Sequence, residues 1–133
     1  MSQENVEVVR RAIEARNRDL DEWLTFFHPA ARSGDLAAAA GMPTDAQDLD
    51  ELRQHAEQWH EVFGDLRMEL LELADLDEWV LAEVRFHGRG EASGTEVTSF
   101  QVDLYQVHEG LITEQRAGYR SRREALEAVG LQE

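Results

Sequence analysis

The chain has 133 residues and carries 13 Lys plus Arg against 28 Asp plus Glu, which gives a formal net charge of −15. Nucleic acids and anionic membranes both favour a basic protein surface, so this charge disfavours both as partners. The length predicts one domain, residues 1–133, and the absence of cysteine excludes disulfides and thiolate catalysis.

Two amphipathic helices are predicted at the N-terminus. Ser2 is a suitable N-cap, and Val6, Val9 and Ile13 follow it at helical spacing. The apolar stripe of the second helix comprises Leu20, Trp23, Leu24 and Phe27. Pro29 ends that helix, since the residue before a proline disfavours helical geometry. There is no N-terminal apolar run of signal length and no segment approaches the ~20 apolar residues of a membrane span, so we expect a cytoplasmic protein.

Residues 30–48 are rich in alanine and glycine and predict a loop with at most one helical turn. We expect this loop to border a pocket entrance and to be less ordered than the sheet. A third helix, Leu49–Val62, follows it. Asp48 and Glu51 have the spacing of a capping box at its start, and Gly64 is a suitable stop after its end.

Alternating apolar residues then predict four strands, at about residues 66–73, 80–87 and 97–107 and at Leu111–Tyr119. Glu109 and Gly110 form a tight turn between the last two strands. A short helix follows, with Ser121 and Glu124 as its capping box. Helices and strands that are segregated along the chain and joined by short hairpins indicate an α+β fold with an antiparallel sheet.

The strand at residues 97–107 has two faces of different character. One face carries Thr98, Phe100, Val102 and Leu104. The other carries Ser99, Gln101, Asp103 and Tyr105. The second face, with its short polar groups, suits the wall of a small-molecule pocket. Alternation alone leaves two registers open. In one, the apolar face points to the interior and forms part of a hydrophobic core. In the other, the polar face points to the interior, and its groups must then hydrogen-bond to one another.

Several segments resemble the SnoaL-like polyketide cyclases of the nuclear-transport-factor-2-like superfamily, which has ketosteroid isomerases as distant members. The segments are FGDLRMELLEL, RFHGRG, SFQVDLYQV and GLITEQRAGY, and the resemblance covers nearly the whole chain. It implies a curved antiparallel sheet wrapped around the N-terminal helices as a cone, with an internal pocket and commonly a homodimer. Cyclases, isomerases, dehydratases, epoxide hydrolases and non-catalytic binders share this fold, so it does not name the reaction.

The resemblance also implies which side chains face the pocket. Asp103 falls where ketosteroid isomerases keep a protonated carboxylic acid in an oxyanion hole, so the polar face of its strand turns inward. The ligand-binding residues implied on the strands are Val84, Phe86, Ser99, Gln101, Tyr105, Gln115, Ala117 and Tyr119. Two positions depart from the isomerase pattern. The oxyanion tyrosine falls near Ala12, which cannot donate a hydrogen bond, and the general base falls near Asp35 in the predicted loop.

His55 and Trp59 lie one turn apart on the third helix, where His55 would overhang the pocket mouth as an acid–base partner and Trp59 would contact the ligand. The alternative is that His55 lies on the solvent-exposed side of that helix and has no role in a site. No histidine pair has metal-site spacing and no glycine-rich loop has phosphate-binding spacing, so we expect no metal and no cofactor.

Two function classes stay open, and we expect a small-molecule ligand for either an enzyme or a binding module of this fold. One is a cofactor-free cyclase, isomerase or dehydratase that uses Asp103 on a small, largely apolar substrate. The other is a ligand-binding or dimerisation module without chemistry. The inward polar register would turn Phe100, Val102 and Leu104 outward. An exposed apolar row of this kind is unusual for a monomer, so we expect a homodimer packed through the sheet.

Overall fold

The computed structural model describes residues 2–35 and 46–131. Its elements in chain order are α1 (Ser2–Arg16), α2 (Leu20–Leu24), β1 (Phe27–Asp35), α3 (Leu49–Val62), β2 (Phe63–Asp75), β3 (Val80–Gly90), β4 (Glu96–His108), β5 (Leu111–Tyr119) and α4 (Arg122–Ala128). The third helix has its predicted bounds, and Asp48 caps it by accepting the Glu51 N–H at 2.9 Å. Within the described ranges, no helix combines the length and the apolar character needed to cross a bilayer.

Five strands form one curved sheet in the order β1-β5-β4-β3-β2. Strands β2 to β5 run as an antiparallel meander in which each strand pairs with the next one along the chain. Strand β1 lies at the other edge, beside β5 and parallel to it. The predicted α+β fold, with a curved sheet around the N-terminal helices and a short C-terminal helix, is confirmed. The sheet is mixed, however, and has five strands rather than four.

Strand β1 overlaps the first part of the loop predicted at residues 30–48, so that part of the prediction is wrong. The second helix also ends earlier than predicted, at Leu24 instead of Phe27. The pairing with β5 runs from Phe27 opposite Ile112 to Asp35 opposite Ala117. The sequence FHPAARSGD has low strand propensity, and its proline falls within a register shift on an edge strand, where a missing N–H costs little. Pairing with β5 therefore outweighs local propensity here. Residues 36–45 of the predicted loop lie outside the described residues.

Two hydrophobic clusters cover the two faces of the sheet. The inner cluster joins the N-terminal helices to the concave face through Val9, Ala12, Ile13, Trp23, Leu52, Ala56, Val80, Ala82 and Val84, among others. The outer cluster joins α4 to the opposite face and comprises Trp79, Leu81, Val102, Leu104, Tyr119, Ala125 and Leu126. Successive residues of β3 and β4 are thus shared between the two clusters, as the alternation of a strand requires.

The expectation of an exposed apolar row on β4 is wrong for two of its three residues. Val102 and Leu104 are each 0% exposed because α4 packs over them, and Phe100 alone of the predicted row stays open to solvent, at 42%. The short C-terminal helix therefore covers much of the surface that the sequence had suggested for a partner subunit.

Asn17 fastens the end of α1 to the edge strand β2. Its side-chain amide donates from Nδ2 to the Met68 carbonyl at 2.8 Å, and its Oδ1 accepts the Met68 N–H at 2.7 Å. One side chain thus satisfies both backbone groups of a residue on the sheet edge, where strand pairing is missing on one side. This contact also fixes the position of Arg16, the last residue of α1.

We predict that Asn17→Ala lowers the free energy of unfolding by about 1–3 kcal/mol, because two partly buried backbone groups lose their partner. The measurement is urea unfolding followed by circular dichroism, with Gln3→Ala, an exposed change on the same helix, as the control. Equal unfolding midpoints for Asn17→Ala and the control would contradict the prediction.

Candidate functional site

A cavity of about 90 Å3 lies between the N-terminal helices and the concave face of the sheet. Its apolar and aromatic lining comprises Ile13, Trp23, Leu52, Ala56, Trp59, Met68, Phe86 and Ala117. Its polar lining comprises Arg16, Ser33, His55, Gln101, Asp103, Tyr105 and Gln115. A concave space with a few convergent polar groups is the usual form of a small-molecule site.

The pairing of β4 with β3 determines which β4 residues reach the cavity. Asp103 lies directly opposite Ala82, a member of the inner cluster, and Tyr105 lies opposite Val80 of the same cluster. Residues directly opposite each other in an antiparallel pair point to the same face. The structure thus has the register in which Gln101, Asp103 and Tyr105 face inward.

Asp103 is 1% exposed, and its Oδ1 accepts two hydrogen bonds from described residues. Gln101 Nε2 donates to Asp103 Oδ1 at 2.8 Å, and the Gly118 N–H donates to the same oxygen at 3.0 Å. Hydrogen bonds of this kind offset much of the free energy that burying a carboxyl group costs. The strand pair therefore supplies the polar environment that keeps Asp103 in a largely apolar cavity.

A β-bulge in β5 brings the Gly118 N–H to Asp103. Val102 pairs with Tyr119 and Leu104 pairs with Arg116, so one β4 residue lies opposite two β5 residues. Gly118 has φ of +91°, a left-handed conformation that residues with a Cβ rarely adopt. The extra residue both presents the Gly118 N–H and reverses the alternation beyond it.

The bulge explains why one predicted ligand-binding residue lies on the wrong face. Strict alternation would place Gln115, Ala117 and Tyr119 together, and the first two do line the cavity. Tyr119 follows the inserted residue and lies instead in the outer cluster with Val102 and Leu104, 1% exposed. The prediction that Tyr119 faces the pocket is therefore wrong.

The other predicted site residues lie in three places: the cavity wall, the core beneath it and an adjoining groove. His55, Trp59 and Phe86 line the cavity together with Gln115 and Ala117. Val84 points to the same face but is fully buried in the inner cluster beneath the cavity surface. Ser99 lies in an adjoining groove of about 130 Å3, which shares Trp59, Phe86 and Gln101 with the cavity. The groove extends the cavity wall along β4.

Asp35 ends β1 opposite the cavity-lining Ala117, so the position implied for a general base lies on a strand of the sheet. Its side chain is outside the part of the chain that the structure describes. The position implied for an oxyanion tyrosine is Ala12, which is 1% exposed and belongs to the inner cluster.

Tyr105 is a neutral hydrogen-bonding group in the cavity. Burial raises the pKa of its phenol well above the usual range, the nearby Asp103 charge raises it further, and Arg16 partly opposes both. The phenol therefore keeps its proton at physiological pH and can donate it in a hydrogen bond.

Arg16 is a site residue that the sequence analysis missed. Burial lowers its pKa to about 10, so the guanidinium stays charged near neutrality. Its Nη1 donates to His60 Nε2 at 2.9 Å, and its guanidinium carbon lies 5.0 Å from the centre of the Trp23 ring. Burial and the Arg16 charge both lower the pKa of His60, which favours the neutral ring that can accept this bond. The signal in the sequence was a cation three residues after Ile13 on the apolar stripe of α1.

Two buried polar atoms in the cavity wall have no hydrogen-bond partner among the described residues. They are Nδ1 of His55 and Oε1 of Gln115. Buried polar atoms are nearly always paired in folded proteins, so these two are available to a ligand or to water. In the same described ranges, no three His, Asp or Glu side chains lie together in a group that would hold a metal ion.

We predict that Gly118→Ala lowers the free energy of unfolding by about 1–3 kcal/mol, because alanine is strained at positive φ. Gly110→Ala is the matched control, since Gly110 has φ of +80° in an open turn far from Asp103. Both variants should lose stability in thermal unfolding. Only Gly118→Ala should shift the NMR signals of the Gln101 side-chain amide, and unchanged signals would show that the bulge does not position Asp103.

The profile of the SnoaL-like domain family matches residues 9–115 of the chain. No functionally curated protein matches it in sequence. Among solved structures it is similar to a hypothetical protein with a ketosteroid isomerase-like fold from Catenulispora acidiphila DSM 44928, in complex with trimethylamine. The TM-score is 0.74 at 16% identity, over 94% of this chain and 93% of that one.

Two further solved structures show the same fold. A protein from Jannaschia sp. CCS1, named for the SnoaL-like polyketide cyclases, has a TM-score of 0.75 at 20% identity, over 87% of this chain and 85% of that one. An NTF2-like protein from Burkholderia thailandensis E264 has a TM-score of 0.76 at 17% identity, over 93% and 95% of the two chains. At these identities the likeness shows the fold and no activity.

Proposed function

The chain belongs to the SnoaL-like domain family, and from that premise we propose that it is a cofactor-independent acid–base enzyme acting on a small, largely apolar molecule in the cavity. The observation that carries the proposal is the buried Asp103 carboxyl in a mainly apolar cavity wall. Carboxyl groups in such surroundings serve as general acids and bases in many enzymes. Many activities share this fold, so the activity follows from the residues of the site and not from the fold.

The arrangement suits removal of a proton from a carbon beside a carbonyl group. The C–H bond breaks, its proton goes to the Asp103 carboxylate, and the electron pair moves onto the carbonyl oxygen to give an enolate. Tyr105, which is a neutral donor, can hydrogen-bond to that oxygen as its charge develops. In a β,γ-unsaturated ketone, the proton held by Asp103 goes to the γ-carbon while the carbonyl re-forms, which completes an isomerisation. In a β-hydroxy ketone, the same proton goes to the departing hydroxyl, which leaves as water and completes a dehydration.

The second candidate is a module that binds the same class of molecule without chemistry. Ala12 favours this alternative, because it leaves α1 without a hydroxyl donor where the resemblance to the isomerases implies a tyrosine. Arg16 and Tyr105 still supply donors to the cavity. The two candidates therefore share the site and differ only in whether Asp103 exchanges a proton with the ligand.

We predict that the protein accelerates exchange of the α-hydrogens of 2-tetralone, a small bicyclic ketone, with solvent deuterium. Asp103→Asn should keep the fold, because its amide oxygen can still accept from Gln101 and Gly118, and should remove the acceleration. The measurement is proton NMR in D2O. Glu83→Gln, which changes a partly buried carboxyl on β3, is the control.

Binding of 2-tetralone without any acceleration by the wild-type protein would exclude this enzymatic function and support the binding module. Acceleration that survives in Asp103→Asn would remove Asp103 from its role. Thermal unfolding of both variants distinguishes either result from a loss of fold.

We also propose a homodimer packed through the outer face of the sheet. Of Phe100, Val102 and Leu104, only Phe100 is exposed and supports this proposal. A large exposed aromatic ring on a central strand is a common feature of subunit interfaces. Light scattering at micromolar concentration should give twice the chain mass, and Phe100→Ser should shift the protein towards the monomer. Leu131→Ser, an exposed apolar change beyond α4, is the control. A wild-type monomer would refute the proposal.

A further inference from the structure

Arg16 differs from the other cations of the chain in having no ionic partner. All 13 basic residues are arginines, and ten of them form ion pairs with Asp or Glu. Within the described part of the chain, Arg16, Arg32 and Arg67 form none. Arg32 and Arg67 are exposed to water, which solvates their charge, whereas Arg16 is partly buried and lines the cavity.

The contacts that Arg16 does make orient its guanidinium without neutralising it. The bond to His60 uses one of its several N–H donors, and the Trp23 ring covers one face of the planar group. The C-terminal end of the α1 dipole provides some favourable potential. A partly buried charge without a counter-ion is incompletely solvated, so an anion entering the cavity would interact favourably with it.

The cavity continues into an apolar surface suited to a flat molecule. Trp59 and Phe86 lie stacked, with ring centres 5.9 Å apart and planes 24° apart. Both residues, with Gln101, line the cavity as well as the adjoining groove. Aromatic side chains favour stacked or edge contacts with other rings. A molecule with a charged end and a planar body would therefore match both parts of the site.

We propose that Arg16 binds a carboxylate on the ligand, and that the site selects planar, apolar carboxylic acids whose body lies against Trp59 and Phe86. This inference rests on the proposed small-molecule site and adds the class of molecule. Arg16 acts here as a specificity-determining residue, since its planar guanidinium can hold both oxygens of a carboxylate.

The test compares 2-naphthoate with 2-naphthamide, which has the same shape without the charge. Binding is measured by NMR titration and calorimetry. We expect the wild-type protein to bind the acid about 10- to 100-fold more tightly than the amide. In Arg16→Gln the ratio of the two affinities should fall to about one, and Arg16→Lys should recover part of the preference for the acid. Arg18→Gln, an exposed neighbour paired with Glu22, is the matched control.

The possible outcomes of this binding comparison lead to different conclusions. Equal affinity for acid and amide in the wild-type protein overturns the inference and leaves the proposed small-molecule site standing. A preference that persists in Arg16→Gln overturns the role of Arg16. Binding of neither compound removes the proposed site for planar ligands and this inference with it. If Arg16→Gln does not fold, the wild-type comparison and Arg16→Lys still decide the matter.

Discussion

Strict alternation along β4 links the packing of one face of the sheet to the chemistry of the other. Residues 102–105 are all buried, with Val102 and Leu104 under α4 and Asp103 and Tyr105 in the inner face. A register that gives α4 its apolar surface necessarily turns the two polar residues inward. Hydrophobic packing in the outer cluster therefore offsets the cost of burying a carboxyl and a phenol, and the polar cavity persists although its own groups are expensive to bury.

The bulge at residues 117–118 completes that arrangement from the neighbouring strand. A regular β5 would have no backbone N–H pointing at Asp103, because ladder N–H groups lie in the plane of the sheet and bond to the next strand. The additional residue frees one N–H for Asp103 and turns Tyr119 outward, where it fills the outer cluster. A single inserted residue thus contributes to both faces of the sheet, and the positive φ at Gly118 favours glycine there.

The parts of the fold that were predictable are those determined by neighbours in sequence. Helix α3 has a local cap at Asp48, although it runs directly into β2 at Phe63 and does not end at the predicted glycine stop. The β2–β5 meander consists of hairpins, so the alternation of each strand can be recognised from its own residues. The inward register of β4 was implied by the resemblance to the ketosteroid isomerases, because alternation alone left both registers open. Strand β1 could not be predicted, because its residues are poor strand formers and its partner is far along the chain. Tyr119 was misplaced because alternation cannot reveal a bulge, and Arg16 was overlooked because a cation beside an apolar stripe usually extends to water.

The parallel pairing of β1 with β5 is a long-range contact, whereas the other strand pairs of the sheet join neighbours in the sequence. The four meander strands can assemble from adjacent hairpins, whereas β1 must wait for a partner that is among the last segments of the chain to be made. This pairing joins segments that are far apart in the sequence, and long-range pairings of this kind slow folding. Because Ser33 of β1 and Gln115 of β5 both line the cavity, that wall is complete only when this last long-range contact has formed.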